Sequence, residues 1–264
     1  MKQTSRNGTV YTVTGKKNAE VLVLIHGLGL TRDTWAPHLA DYEKDYTVLS
    51  YDLYGHGESV APPEVPTLTT FSEQLRELMD ELSIARAALI GFSLGGMINR
   101  RLAMDYPTRV FALGIFNSPH ERGDEAQKLV EEQAAQANEG GPGATIDAAL
   151  NRWFTPMFHE TRKPMLQMIK HWVVANDHVI YAQCRQVLAG GVVELIRPNP
   201  AITIPSLIIT CENDSGSTPA MSHAIGSEIA QAQVIIIPKL RHMGLIERPE
   251  LFTQPLLKFL KKLQ

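Results

Sequence analysis

The stretch AALIGFSLGGMINRRLAMDYP, residues 87–107, decides how the chain is read. Residues 87–90 are apolar on both faces, the pattern of a strand inside a covered sheet. From Leu94 the apolar period changes: Met97, Ile98 and Leu102 share one face of a helix predicted over 94–106 and stopped by Pro107. Between strand and helix stands Gly91-Phe92-Ser93-Leu94-Gly95, a G-x-S-x-G pattern. Alone it is weak, but in the strand–turn–helix setting it has a mechanical meaning. Side chains at 91 and 95 would collide with neighbouring backbone, and the tight turn lifts the Ser93 hydroxyl clear of the sheet. The first amides of the helix lack partners within it and carry the positive end of its dipole, so the Leu94 N–H suits a developing oxyanion. A glycine-rich helix start without chemistry is the plainer reading of GFSLGG in isolation.

Working outward, further strands are expected at 21–25 (VLVLI), 46–51 (YTVLSY), 110–116 (VFALGIF), 206–210 (SLIIT) and 234–237 (VIII). Helical patterns lie between them. Phe71, Leu75, Leu78 and Leu82 fall on one face, with Thr70 and Glu73 spaced as a capping box. A last helix is expected over 251–263, with Lys258, Lys261 and Lys262 where a helix C-terminus favours cations. Strands alternating with helices predict an α/β fold, a mostly parallel central sheet flanked by helices. The rhythm breaks after Pro119. Residues 119–201 show no strand pattern, contain the flexible-looking EGGPGA segment (139–144) and are rich in Met, Trp, Phe and His. They read as a helical cap inserted between core residues 1–118 and 202–264; additional core helices of one domain are the alternative.

A serine hydroxyl barely ionises at neutral pH, so it needs a base, and the base needs an orienting acid. On such a sheet the order Ser, Asp or Glu, His is expected. After the strand at 206–210 comes CENDSGSTP, where Asp214 stands in a loop past a strand end and Glu212 is its competitor. After 234–237 comes PKLRHM, which places His242 in an equivalent loop. His223 is the rival base, within an expected helix. His26-Gly27-Leu28-Gly29 follows the strand at 21–25, and its loop can turn the Leu28 amide to the point that the Leu94 amide faces. His26, Asp52 and His56 read as loop-bracing residues.

The 264 residues suit one large α/β domain, or a core with one insertion. A net charge of −3 without a basic cluster disfavours nucleic acid and anionic membranes as partners and leaves a small molecule. Cys184 and Cys211 are read as thiols, and no Cys/His spacing predicts a metal site. The polar start MKQTSRNGTVYTVTG has no apolar signal core, so a soluble cytoplasmic protein is the default expectation. No cofactor is called for. Trp153, Phe154, Met157, Phe158, Met165, Met168 and Trp172 either line an apolar substrate pocket or pack the insertion onto the core; Trp35, expected in a loop, is a further pocket candidate.

HGLG (26–29), DLYGHGES (52–59), GFSLGG (91–96), ENDSGSTP (212–219) and RHMGLIERPE (241–250) together resemble the α/β-hydrolase family across essentially the whole chain. FNSPH (116–120), RWFTPMF (152–158) and the compact size are most similar to the small esterases and 3-oxoadipate enol-lactonase-like enzymes. The resemblance implies a Ser93–Asp214–His242 triad, an oxyanion hole from the Leu28 and Leu94 amides, and cleavage of small carboxylic esters or lactones. Two departures stand out: Arg241 occupies a position that is often glycine, and the acid loop opens with Cys211 and is longer before its proline. Carbon–carbon bond hydrolysis and cofactor-free perhydrolysis use the same triad. Dehalogenases and epoxide hydrolases of this fold use an aspartate nucleophile, which Ser93 argues against. A non-catalytic ligand-binding protein on the same fold is the rival from another class.

Overall fold

Residues 21–25 can be apolar on both faces because both are covered: Leu22 and Leu24 enter one core cluster, Val23 and Ile25 the other. In the computed structural model, which describes residues 1–136 and 140–263, they form the strand β3 (Val21–Ile25). Ahead of it lie β1 (Lys2–Thr4) and β2 (Val10–Gly15); α1 (Ala36–Tyr42), β4 (Thr47–Tyr51) and α2 (Leu68–Glu81) follow. Then come β5 (Ala87–Phe92), α3 (Leu94–Asp105) and β6 (Val110–Phe116). Among the described residues five α-helices separate β6 from the next strand: α4 (Asp124–Gln136), α5 (Gly141–Trp153), α6 (Pro156–Thr161), α7 (Lys163–Val174) and α8 (His178–Gly190). The chain closes with β7 (Ser206–Cys211), α9 (Pro219–Glu228), β8 (Ala232–Ile237), α10 (Gly244–Glu247) and α11 (Glu250–Lys261).

The eight strands run in the order β1-β2-β4-β3-β5-β6-β7-β8. From β4 to β8 every pair is parallel, and the pairs β1/β2 and β2/β4 are antiparallel. The chain leaves β3 for β4 on one side and returns to β5 on the other. The carboxyl ends of β3 and β5 therefore flank a topological switch point, the crevice where ligands bind in open α/β sheets. Ile25 pairs with Gly91 there, which sets the loops after both strands side by side.

Residues 2–4 are polar and exposed, and of residues 10–15 only Val10 and Tyr11 are buried, so neither stretch shows the apolar run of the central strands; pairing with β4 makes β2 a strand. The expected Thr70/Glu73 capping box is corrected by one turn. Thr67 is the N-cap, its Oγ1 accepting from Thr70 N at 3.2 Å while Thr70 Oγ1 accepts from Thr67 N at 3.0 Å. A threonine hydroxyl closes the box as well as a carboxylate does, and leaves Glu73 free to pair with Arg76. The EGGPGA segment is helical from Gly141, with Pro142 in the first turn; Glu139 lies outside the described residues. One apolar cluster runs from the sheet face through Trp35 and Phe116 into Ile146, Phe154, Phe158 and Ile169 of the inserted helices, so the insertion and the sheet share a core.

Candidate active site

The elbow is built as sterics demand. Ser93 has φ 55 and ψ −113, a left-handed backbone that a residue with a Cβ adopts only when its surroundings enforce it. A Cβ on Gly91 would lie 2.1 Å from the Gly95 carbonyl oxygen, and one on Gly95 2.2 Å from that of Ile25. The turn is also tied down by hydrogen bonds. Ser93 N donates to Phe116 O at 2.8 Å, and Ser118 Oγ donates to Ser93 O at 3.0 Å. Below it the buried Arg100 guanidinium donates to Gly96 O, Ser118 Oγ and Pro119 O, which joins α3 to the end of β6.

Asp214 and His242, 28 residues apart, meet at 2.7 Å through Oδ2 and Nδ1. Asp214 is 3% exposed. Its carboxylate also accepts from Asn117 Nδ2 at 2.8 Å, Gly216 N at 2.9 Å and Ser217 N at 3.0 Å. Burial works to raise its pKa, but the imidazole, Asn117 and the Ser217 amide outweigh it and hold the carboxyl below its ordinary value. With Nδ1–H donated to this carboxylate, Nε2 of His242 keeps its lone pair as the basic nitrogen. The imidazole packs on Phe92, ring centroids 4.9 Å apart, beside the residue that precedes Ser93. Glu212, the competing acid, is engaged elsewhere, accepting from Lys239 N at 2.8 Å. His223 lies exposed in α9.

Opposite, the loop after β3 presses on the elbow: a Cβ on Gly27 would come within 3.2 Å of Ser93 Cβ. Among the described residues, neither the Leu28 nor the Leu94 amide has a hydrogen-bond partner. His26 braces this loop. Its Nε2 accepts from Leu53 N at 3.0 Å while Nδ1 donates to Gly27 O at 2.8 Å, a neutral tautomer that burial maintains by pushing the pKa down to about 4. Asp52 pairs with Arg32 and accepts from the Arg32 and Glu58 amides. His56 donates through Nδ1 to Tyr54 O at 2.9 Å, and its burial lowers its pKa to about 3.

Ser93, Asp214 and His242 line one cavity of about 250 Å³. Of the expected pocket residues, Trp153 lies on its wall, its ring 6.1 Å from the His242 ring. The others lie elsewhere. Trp35 belongs to a short 3₁₀ turn (Arg32–Trp35) and is 0% exposed, packed against His38 and Phe116. It is core, because α1 folds over it. Phe154 and Phe158 stack on each other at 4.6 Å inside the shared core, and Met157 is 69% exposed on the outer face of α6. Trp172 lines a separate cavity beside Asp52 and Asn176. Met165 packs against the core, and Met168 is exposed.

The sequence profile of the Alpha/beta hydrolase family matches residues 22–254. The chain belongs to that family. This α/β hydrolase superposes on the crystal structure of the enol-lactonase from Burkholderia xenovorans LB400 with a TM-score of 0.88 and 33% identity, covering 97% of this chain and 98% of the other. It is 27% identical to 3-oxoadipate enol-lactonase 2 of Acinetobacter baylyi over 258 residues, 96% of this chain and 92% of the relative. The (E)-2-((N-methylformamido)methylene)succinate hydrolase of the same organism is 27% identical over 242 residues, 92% and 90% of the two chains. The resemblance to enol-lactonases read from FNSPH and RWFTPMF thus recurs in whole-chain comparisons.

Several residues of the α/β hydrolase's site stand out only in the structure, although Asn117 and Arg152 belong to the FNSPH and RWFTPMF segments. Asn117, at φ 45 past the end of β6, reaches Asp214 from 97 positions away. Arg241 departs from the glycine common at its position for a visible reason. Its guanidinium donates to Asn151 O at 2.6 Å and Phe154 O at 3.0 Å, fastening the end of α5 to the histidine loop. Met243 N donates to Trp153 O at 2.9 Å, and Glu247 accepts from Thr155 N and Oγ1, completing the clasp. Arg122, Arg152 and Arg185 also line the cavity. Cys184 and Cys211 are buried free thiols. Among the described residues no helix is long and apolar enough to cross a membrane, and no group of three or more His, Cys, Asp or Glu side chains could hold a metal ion.

Proposed function

We propose that the chain hydrolyses small carboxylic esters or lactones through an acyl-enzyme on Ser93, under a cap formed by residues 119–201. The observation that carries this reading is the strained serine at φ 55 sharing one cavity with an imidazole whose Nδ1 is bound to a buried carboxylate at 2.7 Å. Ser93 Oγ attacks the carbonyl carbon while His242 Nε2 takes its proton. Asp214 keeps the ring in the productive tautomer and stabilises the imidazolium. The Leu28 and Leu94 amides, unpartnered among the described residues, receive the oxyanion; each such donor is worth about 10²–10³ in rate. Collapse of the intermediate expels the alcohol, which leaves with the proton held on His242. Water then attacks the acyl-enzyme, His242 accepts its proton, and the acid departs as Ser93 is restored. With a lactone the alcohol stays tethered and the product is a single hydroxy acid, or its keto form when the alcohol is an enol. The names of the enol-lactonase relatives support the lactone branch.

The test is turnover of short p-nitrophenyl esters and a small enol-lactone by the wild type and Ser93→Ala, with fluorophosphonate labelling. Loss of about 10⁴-fold or more in kcat and loss of the label are expected for the variant. Retained turnover, or a wild type that takes no label, removes Ser93 from the role.

A further inference from the structure

The turn that carries Ser93 is held by a side chain that never reaches the cavity. Arg100 of α3 is 2% exposed and absent from the cavity wall. Its Nε donates to Gly96 O at 2.8 Å, and its Nη2 donates to Ser118 Oγ at 3.1 Å and Pro119 O at 2.7 Å. Gly96 and Ser118 both donate in turn to the Ser93 carbonyl, through Gly96 N at 3.0 Å and Ser118 Oγ at 3.0 Å. The Ser118 hydroxyl therefore accepts from a cation while giving its own proton to Ser93 O. Charge-assisted chains of this kind polarise and strengthen along their length.

The same guanidinium also fixes the route to the acid. Ser93 N donates to Phe116 O at 2.8 Å at one end of residues 116–119, and Arg100 donates to Pro119 O at the other. Between these points Asn117, held at φ 45, donates through Nδ2 to Asp214 at 2.8 Å. Keeping a cation here is costly. Among the described residues Arg100 has no ion pair, its Nη1 has no partner, and Glu228 of α9 counters its charge only from a distance. Burial pushes its pKa down to about 9, which leaves it charged at neutral pH. An apolar side chain of similar volume would fill the space without that penalty, so packing alone does not call for an arginine.

We propose that Arg100 is a positioning residue for the nucleophile and the acid together, acting through Gly96 and Ser118 on the Ser93 carbonyl and through Asn117 on Asp214. The inference rests on the hydrolase reading and adds to it a residue outside the cavity. Misplacing a reacting group by about 1 Å can cost about 10²-fold in rate, whereas a substrate that never meets Arg100 should bind as before.

The experiment measures kcat and KM for p-nitrophenyl butanoate, urea midpoints and amide hydrogen exchange. It is run on the wild type, Arg100→Met, Ser118→Ala, Asn117→Ala and the two double variants that contain Arg100→Met. Leu102→Ala, a buried position of the same helix, serves as the stability control. Arg100→Met should lower kcat about 10- to 100-fold with KM within about twofold of the wild type. Joined to Ser118→Ala or to Asn117→Ala it should cost less than it does alone, because each pair cuts one path. The Ser93 and Gly96 amides should exchange at least about tenfold faster in Arg100→Met, while those of Leu24 and Ile90 keep their rates. Leu102→Ala should lower the urea midpoint and keep kcat. Should Arg100→Met not fold, Arg100→Gln, too short to span the same acceptors, takes its place with the same expectations. An unchanged kcat, losses that multiply in either double variant, or an equal loss of kcat in Leu102→Ala overturns the inference. If the wild type cleaves no ester and takes no fluorophosphonate, the hydrolase reading fails instead. Faster exchange at Ser93 and Gly96 in the Arg100 variant then still supports the positioning, and unchanged exchange removes it.

Discussion

The floor and the roof of the cavity are built by different physics. The floor consists of sheet-end loops locked by backbone: glycines that cannot accept a Cβ, a serine held at positive φ, and a carboxylate that accepts four hydrogen bonds. The roof consists of helices joined to that floor by a shared apolar core and a few clasps, Arg241 to the end of α5, Glu247 to Thr155, and Asn176 Nδ2 to Gly29 O at 3.1 Å. A floor of this kind tolerates almost no substitution, whereas a roof of this kind can vary its lining while keeping its attachment. On the hydrolysis we propose, chemistry belongs to the floor and selectivity to the roof.

That division can be broken or sharpened by substitution. The largest effect is expected for Asp214→Asn, which removes the charge that stabilises the imidazolium and misassigns its tautomer; kcat should fall about 10⁴-fold with little change in melting temperature. A variant that keeps a tenth of its activity would show that the floor does not act as one unit. Gly95→Ala should destabilise the fold by about 3 kcal/mol or more, read as a lowered urea midpoint, because the new methyl meets the Ile25 carbonyl. An unchanged midpoint would mean that the elbow is less rigid than its packing implies.

The floor and the helices packed beneath it should also be acid-labile. Burial pushes His26 and His38 to about 4 and His56 to about 3, while in the unfolded chain they titrate near the ordinary value of about 6.5. Between those values the unfolded chain binds the more protons, so stability declines as pH falls from about 6.5 toward 4, by up to about 1.4 kcal/mol per pH unit for each imidazole. Urea midpoints that are equal at pH 7 and pH 5 would contradict this. Asn117→Ala should lower kcat about tenfold with KM nearly unchanged, since Asn117 touches Asp214 and is absent from the cavity wall. The smallest effect is expected for Arg241→Gly: stability falls by about 1 kcal/mol, and KM rises a few-fold as the clasps to Asn151 and Phe154 on either side of Trp153 are lost, with kcat preserved. A drop in kcat equal to the rise in KM would place the clasp in the floor.

The floor was legible in the sequence to a degree the roof was not. GFSLGG could be read because its constraints act between near neighbours: Gly91, Ser93 and Gly95 share one turn, and the strand before it and helix after it declare themselves by period. Asp214 and His242 could be expected at strand ends, although their contact spans the sheet. Trp35 misled because an aromatic after a glycine loop has the same local signature whether α1 covers it or not. Phe154, Met157 and Phe158 are consecutive enough to be read as one lining, yet helix geometry sends Phe158 inward and Met157 out to solvent. Asn117 and the three arginines could not be singled out, because nothing near them in the chain marks what they face.

From the sequence alone came the α/β class and the elbow, since both rest on periodicity or on backbone geometry set by adjacent residues; the family, and with it the expected order of serine, acid and base, came from the motifs that carry the resemblance. Only the tertiary structure decided which aromatic groups reach the cavity, that Arg241 clasps the helices to the histidine loop, and that Arg122, Arg152 and Arg185 face one small space. Those facts depend on how helices pack across the sheet, and packing brings together side chains whose positions in the chain carry no record of their meeting.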